Sequence, residues 1–174
     1  MTAERPLTRE PIPLDLLNTV WVADGVGHDL LADESGTRTW LAEHQLDAPA
    51  DPRARRALRE TREALRTLLL DRESRAAWVA VNAVLARGAR RPVLEAGLVA
   101  HVEIDASAAW LVPWQCAAGL VDLLEAKGDR IRGCANPDCV LWFLDTSRPG
   151  SRRWCSMTTC GNRDKALRHG RVHR

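Results

Sequence analysis

Apolar and polar positions along the 174-residue chain change period from one stretch to the next, and each period predicts a different element. Residues 11–22, PIPLDLLNTVWV, form a short apolar stretch in which Asn18 or Thr19 can cap or turn the chain, so a short strand or a short helix is expected there. After a loop rich in Gly and Asp, Asp33 to Ala42 offers a short helix anchored by Trp40 and Leu41. Asp51 and Pro52 are an N-cap and first-turn pair, and Leu58, Thr61, Leu65, Leu68 and Leu69 follow at helical spacing, which predicts an amphipathic helix to about Leu70. A second helix starts near Arg72 to Ser74, sets Ala77, Val81, Val84 and Leu85 on one side, and is expected to stop at Gly88.

The rhythm then shortens. From Val93 to Ile104, Leu98, Ala100, Val102 and Ile104 alternate with Val99, His101 and Glu103, the two-residue period of a half-buried strand. Asp105 to Ser107 supplies a turn, with Trp110 to Val112 expected to return as the partner strand. Pro113 opens a third helix whose Trp114, Cys116, Ala117, Leu120, Leu123 and Leu124 make an almost wholly apolar stripe, ending at Gly128. Cys116 on that stripe reads as a small buried hydrophobe. Trp21, Trp40, Trp78, Trp110 and Trp114 all stand in apolar surroundings and are expected to fill the core.

The composition is ordinary for a folded domain, with 45% hydrophobic and 28% charged residues, and excludes a disordered chain. No apolar run reaches the roughly 18 residues that a membrane span needs. The first residues, to Pro13, lack the apolar block of a signal peptide, so a cytoplasmic location and no membrane partner are expected. Charge changes the picture more. Residues 1–129 hold 15 Lys and Arg against 20 Asp and Glu, a net of −5, whereas residues 130–174 hold 10 against 3, a net of +7. An acidic body therefore carries a basic tail, an asymmetry that points to a polyanionic partner for the tail. Only Lys127 and Lys165 are lysines; the arginine excess suits phosphate contacts and is equally explained by the codon bias of a GC-rich genome.

Four of the five cysteines lie in that tail, as Cys134-x4-Cys139-x15-Cys155-x4-Cys160. Two close cysteine pairs supply the four thiolates of one tetrahedral structural Zn2+ site, and they leave no ligand position open for catalysis. Reduced free thiols or a redox pair are the other reading. Asn136, Pro137 and Asp138 are turn formers inside the first loop. Val140 to Asp145 reads as a strand, Pro149 and Gly150 as the centre of a type II turn, and Arg152 to Trp154 as the returning strand. The second cysteine pair then enters a helix. Arg132, Arg152, Arg153 and Arg163 are available to donate toward the anionic metal centre.

At about 100° per residue, Ala166, Leu167 and Arg163 fall on one side of that last helix, while Lys165, Arg168, His169 and Arg171 fall on the other. The second set is either a face that tracks phosphates or a solvated helix end with cations set favourably against its dipole. Arg148, Arg152 and Arg153 serve phosphate or the zinc surroundings equally well. Enzyme chemistry has no support in the sequence: there is no Gly-rich phosphate loop, zinc-ligand His pair or nucleophile motif, and His28, His44 and His101 are scattered.

The run Trp154-Cys155-Ser156-Met157 with Cys160-Gly161-Asn162-Arg163 resembles the CGNR zinc finger, and Cys134, Cys139, Phe143, Asp145, Ser147, Arg148, Arg152 and Arg153 extend the match. Leu14-Asp15-Leu16-Leu17-Asn18-Thr19 resembles the start of the ABATE domain that precedes this finger. The resemblance implies a stress-induced transcription regulator that binds DNA through the finger. The expected architecture is α+β: a mainly helical body at residues 1–129 with a small antiparallel β-hairpin, then a treble-clef-like zinc module at 130–174. The body is left to form a homodimer or to sense an effector of unspecified chemistry. The alternative is a zinc-braced protein-interaction or RNA-associated module without specific DNA binding.

Overall fold

The computed structural model describes residues 4–162. Its elements in chain order are helix α1 (Ile12–Leu17), strands β1 (Val20–Ala23) and β2 (Val26–Asp29), helices α2 (Glu34–Glu43), α3 (Pro52–Leu70) and α4 (Arg75–Leu85), strands β3 (Gly88–Glu95) and β4 (Val99–Ala106), helix α5 (Ala108–Lys127), and strands β5 (Ile131–Gly133) and β6 (Trp142–Leu144). Among the described residues the strands make three separate antiparallel ribbons, β1 with β2, β3 with β4, and β5 with β6. The fold is thus α+β. No helix among the described residues is long and apolar enough to cross a membrane. Two compact units divide the chain: one holds residues 30–122, and the other joins residues 4–29 to residues 123–162.

The unit of residues 30–122 is built on helices whose starts the sequence announces. The Asp33 carboxylate accepts from Gly36 N at 2.8 Å and caps α2. The Asp51 carboxylate accepts from Arg53 N and Ala54 N at 2.8 and 2.9 Å and caps α3, with Pro52 in its first turn. Ser74 caps α4. Behind these caps Leu58, Thr61, Leu65, Leu68 and Leu69 of α3 and Ala77, Val81 and Val84 of α4 are buried as their spacing requires, each leucine stabilising the unit by about 1.5–3 kcal/mol. Trp40, Trp114 and Cys116 are buried with them. Arg62, on the buried stripe of α3, is 2% exposed and is the position whose burial its residue type conceals.

Four expectations for this unit are corrected. Helix α4 is already closed at Ala86, and Gly88 instead opens β3, where a Cβ would stand 2.9 Å from the Trp114 ring. The partner of β4 is β3, not Trp110 to Val112: Glu95 faces Val99 and Gly88 faces Ala106, across a loop in which Gly97 takes φ +82°. A glycine is suited to that left-handed corner, so the chain reverses inside the stretch read as one strand. Helix α5 starts at Ala108 rather than Pro113, because the Ser107 carbonyl accepts from Trp110 N and Leu111 N at 2.8 and 2.9 Å. Pro113 is held inside that helix, at the cost of one backbone hydrogen bond. Finally, Trp78 is 44% exposed, its indole N–H donating to the Arg72 carbonyl at 2.7 Å, and Trp110 is only half-buried.

The second unit brings the N-terminal segment onto the strands beside the cysteines. The ambiguous stretch at 11–22 resolves into both elements, α1 followed by β1. Strand β6 is buried along its whole length and pairs with β5, Phe143 opposite Arg132. The expected return strand at Arg152 to Trp154 is not formed; its place is taken by the residues just before Cys134. On the edge of β6 facing away from β5, Asn18 acts as a one-residue strand. Its amide N–H2 donates to the Trp142 carbonyl and its carbonyl accepts from Trp142 N, both at 2.9 Å. One position pair further on, a Glu10 carboxylate oxygen accepts from Leu144 N at 2.8 Å. Asp15, fully buried, meets Arg5 at 2.6 Å. Leu14, Leu16, Leu17, Trp21, Ile131, Leu141 and Phe143 are buried in this unit.

Replacement Asn18→Ala strands two buried backbone groups, each worth about 1–3 kcal/mol, so a loss of about 2–5 kcal/mol in urea denaturation at fixed zinc is expected. Glu10 behaves oppositely. Burial raises its carboxyl above the usual range, outweighing the Leu144 N–H and Arg152. The native state therefore binds that proton more tightly than the unfolded chain, and this contribution to stability falls as pH rises from about 4.5 through the raised value. Glu10→Gln keeps an acceptor for Leu144 N, and it is expected to flatten that falling limb and leave stability at pH 7 unreduced.

Candidate metal centre

The four cysteines reach one point because two tight loops end against the β5–β6 ribbon. The Cys134 backbone N–H donates to the Leu141 carbonyl at 2.9 Å, one step beyond the paired residues, which fixes the first cysteine at the ribbon's end. The loop between is folded by its own turn former: Cys139 N donates to the Asn136 carbonyl at 3.0 Å, and Asp138 N donates to the Asn136 side-chain oxygen at 3.2 Å. Ala135 N donates to the Arg153 carbonyl at 2.8 Å, drawing in the segment that leads to the second pair. Cys155 precedes a single wide helical turn, Met157–Gly161, which contains Cys160 and whose start Ser156 caps. The helix that the second pair is expected to enter lies, beyond Asn162, outside the described residues.

The four sulfurs lie within 4.8 Å of one another, with Cys139 to Cys155 at 3.7 Å and Cys155 to Cys160 at 3.6 Å. A zinc ion bound at about 2.3 Å by four tetrahedral thiolates needs sulfur separations of about 3.8 Å, so the set fits the ion and is far too open for disulfides. All four residues can therefore hold one Zn2+. Two N–H groups already point at sulfur, as thiolates require: Asn136 Nδ2 to Cys160 Sγ and Cys155 N to Cys134 Sγ, each at 3.4 Å. Hydrogen bonds from Cys139 and Cys155 hold the Cys134 thiol down to about 2, while the hydrogen bond to Cys134 pushes Cys139 up to about 12 and Cys155 upward as well. A metal binds thiolates and displaces whatever protons the four thiols carry, which ties binding to pH. Cys116, in the other unit, is buried and takes no part.

The arginines divide by what they touch. Arg132 donates to the Gly150 carbonyl at 2.8 Å and lies 3.7 Å from Asp145, turned to the loop and not to sulfur. Arg152 donates to the Trp154 and Cys155 carbonyls, stacks on Phe143 at 4.2 Å and stands 3.8 Å from Glu10. It braces the backbone of a zinc ligand, not the ligand atom. Arg153 is exposed beside Trp154, and Arg148 is exposed at the loop tip. Arg163, Lys165, Arg168, His169 and Arg171 lie outside the described residues.

Two residues that spacing marks only as turn or strand formers organise this centre. Asn136 is the sulfur donor just described. Asp145, 2% exposed, accepts from Ser147 N, Ser147 Oγ and Arg152 N at 2.9, 2.6 and 2.9 Å, and these bonds hold its carboxyl below the usual range. It gathers the loop of residues 145–152, whose closing hydrogen bond runs from Gly150 N to the Ser147 carbonyl at 3.1 Å. The closed turn therefore begins at Ser147, one residue before the turn read from Pro149 and Gly150. Residues 21–24 line the same recess as Asn136, Cys139, Cys155 and Cys160, a cavity of about 230 Å³, and nothing in the cysteine spacing signals that.

Purified protein is expected to carry one zinc per chain by elemental analysis. Asn136→Ala should weaken zinc by about 10–100-fold in chelator competition, since it removes a sulfur donor but no ligand. Zinc loading should release protons in unbuffered titration and fail as the pH is lowered.

With this geometry in place, comparison with known families is direct. Residues 130–172 match the model of the CGNR zinc finger, which contains all four cysteines. Residues 10–127 match the ABATE model, described as "putative stress-induced transcription regulator". No curated protein matches the chain. Neither family is an enzyme family, and their order along the chain is the one expected. The ABATE match spans more than half of the 174 residues, so the chain belongs to the ABATE family and carries a C-terminal CGNR zinc finger with a four-cysteine zinc site.

Proposed function

We propose that the protein is a transcription regulator that binds DNA through its zinc finger, the metal acting as a structural brace and not as a catalyst. The observation that carries this reading is the coincidence of charge and metal. The net +7 of residues 130–174 belongs to the same segment as the four-cysteine site, while the preceding 129 residues are net −5. A cationic module braced by a metal favours polyanions at that end of the chain. The family description supports the regulatory half of the proposal.

The exposed Arg148 and Arg153 are available for phosphate, and we assign the same role to Lys165, Arg168 and Arg171. Arg132 and Arg152 contribute indirectly, because their donors hold the Gly150 and Cys155 backbone on either side of Arg153. Such contacts give affinity and orientation without sequence discrimination, which has to come from base edges. The ABATE body is the proposed place of dimerisation or effector sensing.

Metal-quantified protein titrated with duplex DNA at increasing salt is expected to bind with a log–log slope of about −3 to −5, matching three to five neutralised phosphates. Replacing Arg168 and Arg171 together by Ala should reduce that slope by about 2, and chelation should abolish binding. Absence of binding at low salt with zinc still in place would leave the finger as a protein-interaction module.

A further inference from the structure

Within the unit of residues 30–122, α3 and α4 border an open cleft of about 920 Å³ lined by no residue of the zinc module. Its floor is made of small side chains: Ala64 from α3, and Ala80, Ala83 and Val84 from α4. The groove is open to solvent, with Ala64 and Val84 buried at its base and Ala80 and Ala83 nearer the surface. Here the alanines hold it open, and one wall is a row of arginines spaced three and four apart on α3, namely Arg55, Arg56 and Arg59. The far end is closed by Arg87 and Trp110.

The charges in the cleft are not balanced internally. Arg56 is paired with Glu60 at 2.8 Å, and Glu63 is engaged by the buried Arg62 at 3.3 Å. Both acidic groups on the wall are thereby occupied. Arg55 and Arg87 meet no carboxylate among the described residues; the Arg87 guanidinium lies 4.9 Å from the centroid of the half-buried Trp110 ring. A smaller recess of about 380 Å³ continues past Arg87 and Trp110 and adds Arg53, also without a carboxylate partner among the described residues. Stacking on an aromatic face holds a guanidinium in place while leaving its N–H edge free to donate.

Size, floor and charge together specify a class of ligand. The volume lies in the range of small-molecule sites, the alanines, Val84 and Trp110 suit a flat apolar body, and the uncompensated arginines suit an acid group. We propose that this cleft binds a small organic anion, its carboxylate, sulfonate or phosphate taken by Arg55 and Arg87 and its apolar body laid on Ala80, Ala83, Val84 and Trp110. The site is independent of the DNA-binding reading, since every residue in it lies outside the finger.

The test uses the full zinc-loaded chain and two dyes of one shape, 1-anilinonaphthalene-8-sulfonate and the uncharged N-phenyl-1-naphthylamine. One saturable sulfonate site per chain is expected by fluorescence and calorimetry. Arg55→Ala with Arg87→Ala should weaken the sulfonate about tenfold or more and the neutral dye far less, as loss of a charge-assisted hydrogen bond requires. Ala83→Trp, at an exposed position, should fill the cleft and abolish binding of both dyes, while circular dichroism and the melting temperature show each variant folded. Equal losses for the two dyes in the arginine variant would overturn anion recognition. Sulfonate binding that survives Ala83→Trp but falls in Leu98→Asp would overturn the site itself, by moving the dye to the exposed tip of the β3–β4 ribbon.

Discussion

The zinc-bearing unit depends on how one three-residue strand satisfies its backbone. Strand β6 is wholly buried, so every N–H and C=O along it has to find a partner away from water. On one edge β5 provides them, and the ladder is prolonged by Cys134 N at one end and Asp145 N at the other. On the opposite edge there is no strand. The side chains of Asn18 and Glu10 supply the missing donor and acceptors instead. A planar amide that both donates and accepts can stand in for one peptide unit, and the fully buried Asn18 does so. The N-terminal segment thereby becomes part of the finger's scaffold, although more than a hundred residues separate them in the chain.

The metal centre inherits its order from this strand. Cys134 and Leu141 are fastened together at the end of the ribbon, and the second cysteine pair is fastened to the first through Ala135 and Arg153. Asp145, next to β6, then collects Ser147 and Arg152, and Arg152 in turn holds the carbonyls of Trp154 and Cys155. A four-thiolate zinc contributes folding free energy outright, and its surroundings decide how well the ligands are oriented. The described arginines of this segment accordingly divide between those spent on backbone carbonyls and those left at the surface. That division matters for function, because only the second kind is available to a partner.

The unit of residues 30–122 follows a different logic. Its helices obey their caps and stripes, and its stability comes from apolar burial along α3, α4 and α5. What sets it apart is the polar side of the α3–α4 pair, where alanines face a row of arginines and leave a cleft. Helix α3 is strongly basic within a body whose net charge is negative, so a division into acidic body and basic tail describes the totals and misses the local surface.

Local physics made much of this protein legible from its residues. Caps at Asp33, Asp51 and Ser74 and the leucine period of α3 place three helices, because each depends on neighbours within a turn or two. Two cysteine pairs announce a four-sulfur site, since ligand spacing is itself a local constraint. Strand partners were not legible in this way. Whether β4 pairs with Gly88–Glu95 or with Trp110 to Val112, and whether β6 pairs with Ile131–Gly133 or with Arg152 to Trp154, are choices between segments of similar pattern, decided by turn geometry and by which edge is already occupied. Nor does spacing reveal that Asn18 completes a strand, that Arg152 braces a ligand's backbone, or that α3 and α4 leave a cleft between them. Those contacts join residues far apart in the chain, and only the tertiary structure brings their donors and acceptors within hydrogen-bonding distance.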